Sequence, residues 1–197
     1  MLSRSDRPAP GLRERKKART RATIQRHAFR LFRQQGYEAT TVAQIAEAAE
    51  ISESTFFRYF PTKEDVVVWN ELAPTVMESL RAQPATYSPI RALRSAMREV
   101  LGGLSAEEAA VMRERGVLWL STPMLQGVGA DKIAAGAAEM AAARTGRSAR
   151  DPAVRTLVGA VLGVMSAAML EALEHPEADA ATLIDEALAR LEAGLPV

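Results

Sequence analysis

Two short apolar stripes separated by a turn occupy residues 40–63, and they constrain the fold more than any other part of the chain. The segment is TTVAQIAEAAEISESTFFRYFPTK. Apolar side chains between residues 42 and 49 recur at the spacing of one helix face, and Thr41 before them is a good N-cap. Ser52 is placed to begin a second helix, which Pro61 ends because proline has no N–H to donate. The segment therefore predicts two short helices joined by a tight turn.

The second of these helices carries more polar and aromatic side chains than packing requires. Phe56 and Phe60 are spaced i, i+4, so both can pack against the preceding helices. The side chains left on the other face can reach base edges and phosphates, as a helix in the major groove of DNA must. Arg58 is suited to a bidentate contact with guanine or to a phosphate. We expect the DNA contacts of this segment to come from Thr40, Thr41, Ser52, Ser54, Thr55, Phe57, Arg58, Tyr59 and Lys63.

A purely structural aromatic cluster is the alternative interpretation of the same segment. Seven of the ten aromatic residues lie between residues 29 and 60. A core cluster accounts for Phe32, Phe56 and Phe60. It does not account for Phe57, Arg58 and Tyr59, so DNA contact remains the stronger prediction.

The net charge of +1 conceals two segments of opposite charge. Residues 1–63 contain 13 Lys and Arg against 6 Asp and Glu, whereas residues 64–197 contain 12 against 18. A basic N-terminal third indicates a polyanionic partner, although a solvated helix face explains the charge alone equally well. The basic residues expected to contact phosphates or the minor groove are Arg15, Lys17 and Arg21.

The remaining sequence predicts further helices, so the expected class is all-α, with no strand-like alternation, hairpin signal or repeat. Pro74 is expected to bend or split the helix over 63–83, and residues 123–129 to form a break before a helix over 131–145. The longest uncharged run, residues 156–170, is shorter than the ~20 residues of a membrane span, which predicts a buried helix of a soluble protein.

Enzyme chemistry has little support in the sequence. There is no cysteine, which excludes disulfides and thiolate metal sites. The two histidines, His27 and His175, have no plausible carboxylate and nucleophile partners, and neither a phosphate-binding glycine loop nor HExxH occurs. We therefore predict no enzymatic activity, no cofactor and no metal.

The segment TTVAQIAEAAEISESTFFRYFPTKEDVV, with the basic helix and LFRQQGYEATTV before it, resembles the DNA-binding region of the TetR family of bacterial transcriptional regulators. The resemblance implies a three-helix DNA-binding domain, a helical ligand-binding domain, a homodimer and repression released by a small molecule. Phe57, Glu53 and Glu50 stand where the family commonly has Tyr, Lys and Gly. LRERKKARTRATIQ and STFFRYFPTKEDVV are similar to a subgroup with acyl-CoA-like ligand-binding domains.

Residues 1–12 hold Ser, Pro and Gly with charges, which predicts a flexible arm. The resemblance implies a helix-turn-helix domain over 13–62 and a helical bundle for ligand binding and dimerisation over 63–197. Met and Trp side chains suit an irregular apolar pocket, although ordinary core packing is the alternative for each. Arg113 could meet a ligand phosphate at the rim, although a solvated helix face is the favoured alternative for it. The candidate ligand-binding residues are Trp69, Met97, Met112, Arg113, Trp119 and Met165. Small residues permit close helix approach, between subunits or within one. The candidate dimer residues are Gly159, Gly163, Ala167, Leu188 and Leu191.

The sequence thus predicts a cytoplasmic, ligand-responsive regulator, a repressor that binds a near-palindromic operator as a homodimer. Its expected partners are duplex DNA, a second copy of itself and a small apolar or acyl-type effector, with no membrane. The alternative from another class is a helical interaction or small-molecule-binding module whose N-terminal head does not bind DNA.

Overall fold

The computed structural model describes residues 11–70, 72–175 and 177–196, and within these ranges the backbone forms ten helices and no strand. The all-α prediction is confirmed. The helices are α1 (Leu12–Gln35), α2 (Val42–Ala48), α3 (Glu53–Tyr59), α4 (Lys63–Val68), α5 (Ala73–Ala82), α6 (Pro89–Leu101), α7 (Ala106–Ser121), α8 (Pro123–Thr145), α9 (Pro152–Glu174) and α10 (Ala180–Glu192).

The chain divides into two compact units, one ending at Val67 and one beginning at Val68. The expected boundary followed Thr62, so the difference is that α4 belongs almost entirely to the first unit. The arm expected over residues 1–12 lies outside the described residues as far as residue 10, and Leu12 already begins α1.

The first unit packs α1, α2 and α3 around an aromatic and aliphatic core. Phe56 and Phe60 are 0% and 1% exposed, which confirms the prediction that they anchor α3. Burying each ring contributes on the order of 1.5–3 kcal/mol. The other buried apolar side chains of α1, α2 and the loop between them are Ile24, Ala28, Phe29, Phe32, Tyr37, Ile45, Ala46 and Ala49.

Side-chain caps fix where the short helices begin. Thr41 and Gln44 form a capping box at α2, in which each side chain bonds the other residue's backbone N–H. The Ser52 hydroxyl accepts from the N–H of Thr55 at α3, and the Thr62 hydroxyl accepts from the N–H of Asp65 at α4. These bonds satisfy N–H groups that a helix terminus leaves without partners.

The core of the second unit lies among α6, α9 and α10. Leu188 is fully buried there, so this candidate dimer residue is a core residue of one subunit. The prediction for Leu188 was wrong because an apolar stripe on a helix does not specify which surface covers it. Leu191 is partly buried and packs against the same cluster, and it stays a predicted dimer residue. The buried members of this cluster are Leu101, Val161, Ala168, Ile184, Ala187 and Leu188.

Two proline predictions had opposite outcomes. Pro74 lies in the first turn of α5, and the stretch after Lys63 is divided into α4 and α5, which confirms the expected split. The break expected over residues 123–129 was wrong, because α8 runs without interruption from Pro123. A proline at the first helical position needs no N–H partner and already has a helical φ, so it begins the helix instead of breaking it.

Helix α9 is apolar but largely uncovered. Within the described part of the chain it is the one helix long and apolar enough to cross a membrane by length and composition, and 22% of its apolar window is buried. The expectation of a buried helix was therefore wrong for one face, whereas Val154, Val158, Val161, Ala168 and Ala172 are buried on the other. The exposed residues in the middle of the helix, between the exposed charged side chains of Arg155 and Glu171, follow one stripe at i, i+3 and i+4 spacing. This stripe, called the α9 stripe below, comprises Thr156, Gly159, Gly163, Ser166, Ala167 and Leu170.

An arginine–aspartate cluster joins α6 to α10. Arg94 donates two hydrogen bonds to the Asp185 carboxylate, at 2.8 and 3.0 Å, and Arg98 approaches both carboxylate oxygens at 2.9 Å. The Asp185 side chain is 22% exposed. The hydrogen bond from Arg94, with that from Arg98 and both positive charges, lowers the pKa of Asp185 from 3.8 to about 2, against the opposing effect of burial.

Replacing Asp185 with Asn should lower the free energy of unfolding by about 1 kcal/mol at neutral pH, because the charge-assisted bonds across α6 and α10 are lost. The pKa of Asp185 is lower in the folded protein than its unfolded value of 3.8. The carboxylate therefore makes its full contribution to stability above pH 3.8. The contribution disappears as pH falls towards about 2, and the gap between wild type and D185N should close over that range.

Urea unfolding followed by circular dichroism at several pH values measures this difference. Glu186→Gln is the matched control, because Glu186 is exposed and makes only an i, i+4 pair with Arg190. Equal unfolding free energies for D185N and wild type at neutral pH would show that the cluster does not stabilise the bundle.

Candidate nucleic-acid interface

Helix α3 has one buried side and one accessible side. Phe56 and Phe60 lie beneath the helix, where their rings contact each other with centroids 6.0 Å apart. Among the predicted DNA contacts, Ser54, Phe57 and Arg58 are exposed. The others on this segment also reach the surface, with Ser52 exposed and Thr55 and Tyr59 partly exposed.

Hydroxyl groups at the start of α3 form a local network. Ser52 Oγ shares a 2.9 Å hydrogen bond with Ser54 Oγ and donates to Thr55 Oγ1 at 3.0 Å. The backbone N–H of Thr55 donates to Ser52 Oγ at 3.1 Å. These bonds hold three hydroxyls at one end of the accessible face, where groups of this kind can bond phosphate oxygens.

Aromatic contacts orient the large side chains on the same face. The Phe57 ring is 48% exposed, and it meets the buried Phe56 ring edge to face at 5.5 Å. The Arg58 guanidinium lies 5.5 Å from the centroid of the Tyr59 ring. The exposed ring is therefore an apolar surface suited to a thymine methyl, and the guanidinium beside it is suited to guanine or phosphate.

The turn between α2 and α3 contains a strained residue. Glu50 has φ of 55°, in the left-handed region that disfavours residues with a Cβ by about 1–2 kcal/mol. The turn is closed by the N–H of Ile51 donating to the Ala46 carbonyl at 2.9 Å. A glycine, common at this position in the family that the segment resembles, relieves this strain, whereas here the surrounding packing maintains it.

The basic residues of α1 extend the positive surface. Arg15 and Lys17 are exposed, and Arg21 is partly exposed. Burial lowers the pKa of His27, and the nearby charges of Arg30 and Arg26 lower it further, so the imidazole does not add to this charge near neutral pH. The positive charge on this face of α1 therefore comes from arginine and lysine side chains.

Thr40 was predicted as a DNA contact, and the structure corrects this prediction. Its side chain is 1% exposed. The hydroxyl donates to the Gly36 carbonyl at 2.8 Å and accepts from Gln35 Nε2 at 3.2 Å. Thr40 therefore closes the loop between α1 and α2. Thr41 stays exposed, although its hydroxyl takes part in the α2 capping box.

Lys63, predicted to contact the DNA backbone, has its ammonium group directed into the first unit. Its Nζ donates to the carbonyls of Tyr37 and Thr40, both at 2.9 Å, and lies 4.2 Å from the centroid of the Tyr37 ring. Burial lowers the pKa of Lys63, although the charges of Glu64 and Glu38 oppose the shift. The correction is that Lys63 joins α4 to the loop after α1.

Two further bonds that sequence analysis missed attach α4 to α1 and its loop. Tyr37 Oη donates to Glu64 Oε1 at 2.9 Å, and Gln25 Nε2 donates to the Val66 carbonyl at 2.8 Å. Burial and the hydrogen bond to Glu64 raise the pKa of the Tyr37 hydroxyl. Together with the bonds of Lys63, these contacts are called the α4 latch below. Only the polar residue types at Gln25 and Glu64 signal it in the sequence.

The candidate ligand-binding residues differ in how deeply they are buried in the second unit. Met97, Met112 and Met165 are partly buried and pack against the core of the second unit. Trp69 and Trp119 are partly exposed and Arg113 is exposed. Two clefts in this unit, of about 380 Å³ between α8 and α9 and about 300 Å³ between α5 and α8, are lined by none of these six residues.

The small candidate dimer residues lie on open surface. Gly159, Gly163 and Ala167 are all exposed on α9. A Cβ added at either glycine meets no atom within 4 Å. These positions therefore remain available to a second surface, in contrast to Leu188.

Family models of known proteins match parts of both units of the chain. Residues 24–68 match the family model for "Bacterial regulatory proteins, tetR family", and residues 87–196, more than half of the chain, match the TetR-type model "MftR C-terminal domain". The HTH-type transcriptional regulator TcmR of Streptomyces glaucescens is 45% identical over 102 residues, which is 51% of this chain and 45% of TcmR. The match therefore spans less than half the length of this curated relative.

Two solved structures share the architecture over most of the chain. FadR of Thermus thermophilus, a TetR family transcriptional repressor in complex with lauroyl-CoA, is 26% identical with a TM-score of 0.56, covering 90% of this chain and 95% of that one. SmeT, the repressor of the Stenotrophomonas maltophilia multidrug efflux pump SmeDEF, is 20% identical with a TM-score of 0.55, covering 90% and 93%. Because SmeT is 20% identical to this chain, its similarity shows the fold alone.

Replacing Lys63 with Met should destabilise the first unit by about 1–2 kcal/mol, because methionine keeps the apolar stem but loses both bonds to carbonyls. Chemical unfolding measures the change. Lys17→Met is the matched control, since Lys17 is exposed on α1 and its replacement should leave the unfolding free energy unchanged. Equal stability of K63M and K17M would contradict a structural role for the ammonium group.

Proposed function

Because the chain belongs to the TetR family of bacterial regulatory proteins, which are DNA-binding transcriptional regulators and not enzymes, we propose that it is a ligand-released repressor in the cytoplasm. In this proposal a dimer binds a near-palindromic operator. A small apolar or acyl-type effector that binds the second unit releases the dimer from the operator. The observation that carries the proposal is the accessible face of α3 above buried Phe56 and Phe60.

The accessible face of α3 would read the major groove. Arg58 makes no hydrogen bond to a residue that the structure describes, so its donors are available to guanine or phosphate. Ser54 and Thr55 would bond the phosphate backbone, and Phe57 would touch a thymine methyl. The exposed side chains of Arg15 and Lys17 would add phosphate contacts, so affinity should fall steeply with salt.

The α9 stripe is proposed as the centre of the dimer interface. Its exposed residues are small or apolar, and monomeric proteins rarely expose continuous surface of this kind without a partner. A two-fold axis beside α9 would place the stripe against its own copy, allowing close approach at Gly159 and Gly163. Two recognition helices related by that axis would then enter successive major grooves.

The effector signal is proposed to pass through α4. The α4 latch bonds this helix to α1 and its loop, so any displacement of α4 would move the DNA-binding helices with it. Helix α4 ends at Val68, where the second unit begins. An effector would act only to the extent that it binds the two dispositions of α4 with unequal affinity. The lauroyl-CoA complex of the T. thermophilus repressor supports an acyl-type effector.

Replacing Arg58 with Ala should weaken operator binding by about 10- to 100-fold, since one bidentate contact contributes about 1–3 kcal/mol. The operator is obtained by selecting duplexes from a random-sequence pool with the wild-type protein. Gel-shift titration on the selected duplex then compares the variants at fixed salt.

The matched control for this measurement is Arg190→Ala, which removes an exposed arginine from α10. Circular dichroism and sedimentation should show both variants folded and in the wild-type oligomeric state. If R58A bound the selected duplex as tightly as R190A, the assigned recognition face would be incorrect. If no duplex were enriched, the chain would instead be a helical module that does not bind DNA.

Introducing a charge at Ala167 tests the proposed interface separately. Ala167→Glu places two carboxylates close to the two-fold axis, where they repel and lose hydration, so the protein should sediment as a monomer. Ala110→Glu is the control, because Ala110 is exposed on α7 and does not belong to the α9 stripe. A167E that remained a dimer at the protein concentration of the control would exclude this face as the interface.

A further inference from the structure

The larger of the two clefts described above lies along the seam between α8 and α9. Its volume is about 380 Å³, near the lower end of the roughly 300–1,000 Å³ typical of small-molecule sites. The floor and walls are apolar, with alanines from α8 facing aliphatic side chains from α9. The lining residues are Ala134, Ala135, Ala138, Ala149, Arg150, Arg155, Val158, Gly159 and Leu162.

The cleft exists because small side chains line it. Ala134 and Ala138 are one helical turn apart on α8, and Gly159 has no side chain. Alanine and glycine cannot fill the space that larger residues would occupy between two helices, so an open apolar trough remains.

Two exposed arginines are among the lining residues of the cleft. Arg150 lies in the loop before α9 and Arg155 in the first turn of α9. Neither side chain forms a hydrogen bond or an ion pair with any residue in the described ranges. The carboxylate nearest in sequence, Asp151, is already bound by Arg147 at 2.9 Å and caps α9 through the N–H of Ala153.

From this geometry we propose that the α8–α9 cleft binds an amphiphile with one anionic headgroup, a carboxylate or a phosphate. Arg150 and Arg155 bind the headgroup through charge-assisted hydrogen bonds, and the alkyl chain lies on the alanines of α8 and on Val158 and Leu162. The apolar trough excludes a fully hydrated anion, and the two arginines disfavour a cationic amphiphile. The apolar trough and the two arginines are both needed to select an anionic amphiphile.

This inference rests on the proposed function, since the cleft would be the binding site of the effector. Binding of a ligand to the cleft is nevertheless measured without DNA. A failure here therefore leaves the DNA-binding proposal intact, and a failure of DNA binding leaves this site intact. The cleft shares Gly159 with the α9 stripe, so its ligand lies beside the proposed dimer interface.

Isothermal titration of the full chain with four compounds that share one alkyl chain tests the headgroup. The compounds are octanoate, octyl phosphate, octanol and octyltrimethylammonium. At least one of the two anions should bind about tenfold or more tightly than both octanol and the cation, because bonds to charged groups contribute most of the discrimination. Binding of octanoate alone assigns a carboxylate site, and binding of octyl phosphate alone assigns a phosphate site. Equal binding of all four compounds, or no binding of either anion, overturns the proposal.

Two sets of variants test the location. The double variant R150Q/R155Q should bind the preferred anion about tenfold or more weakly than wild type. R147Q/R190Q removes the same charge from two arginines that are ion-paired outside the cleft, and it should bind as wild type does. Ala138→Phe should fill the trough and abolish binding while circular dichroism shows the fold retained. Equal affinity of R150Q/R155Q and R147Q/R190Q, or wild-type affinity of A138F, places the ligand elsewhere and overturns the proposal.

Discussion

Burial of Phe56 and Phe60 beneath α3 is the interaction on which the DNA-binding surface depends. A helix of seven residues is too short to persist in water by its own hydrogen bonds, so its position is set by what it packs against. The two rings occupy one side, and this leaves Ser54, Phe57 and Arg58 on the other. The preceding turn fixes the angle at which α3 leaves α2. The packing of α3 therefore also maintains the strained backbone of Glu50 in that turn.

The polar groups divide into those that build the first unit and those that remain available to a partner. Thr40, Tyr37 and Lys63 have the residue types of DNA contacts, yet their polar atoms are bonded to the protein itself. Tyr37 and Lys63 belong to the α4 latch, which makes α4 part of the DNA-binding unit. This is a physical requirement of the proposed regulation, since an effector in the second unit can act on DNA only through an element coupled to α3.

Local sequence chemistry predicted much of this unit and less of the second. The caps at Thr41 and Ser52 and the anchoring pair of phenylalanines follow from spacing along one helix, so the sequence was sufficient for them. Thr40 and Leu188 were misassigned because hydroxyl content and apolar periodicity do not specify which surface covers a side chain. The α8–α9 cleft was missed for a related reason: it arises from side chains too small to meet across a helix pair, and this becomes evident only once the helices are paired.

The central claim, that α3 places its accessible face in the major groove, is tested most directly by dimethyl sulfate protection of a bound duplex. The reagent methylates guanine N7 in the major groove and adenine N3 in the minor groove, so each groove reports separately. We expect the bound protein to protect guanine N7 in two patches about one helical turn apart. Guanine N7 atoms that stay reactive throughout the bound site, with protection confined to adenine N3, would contradict it.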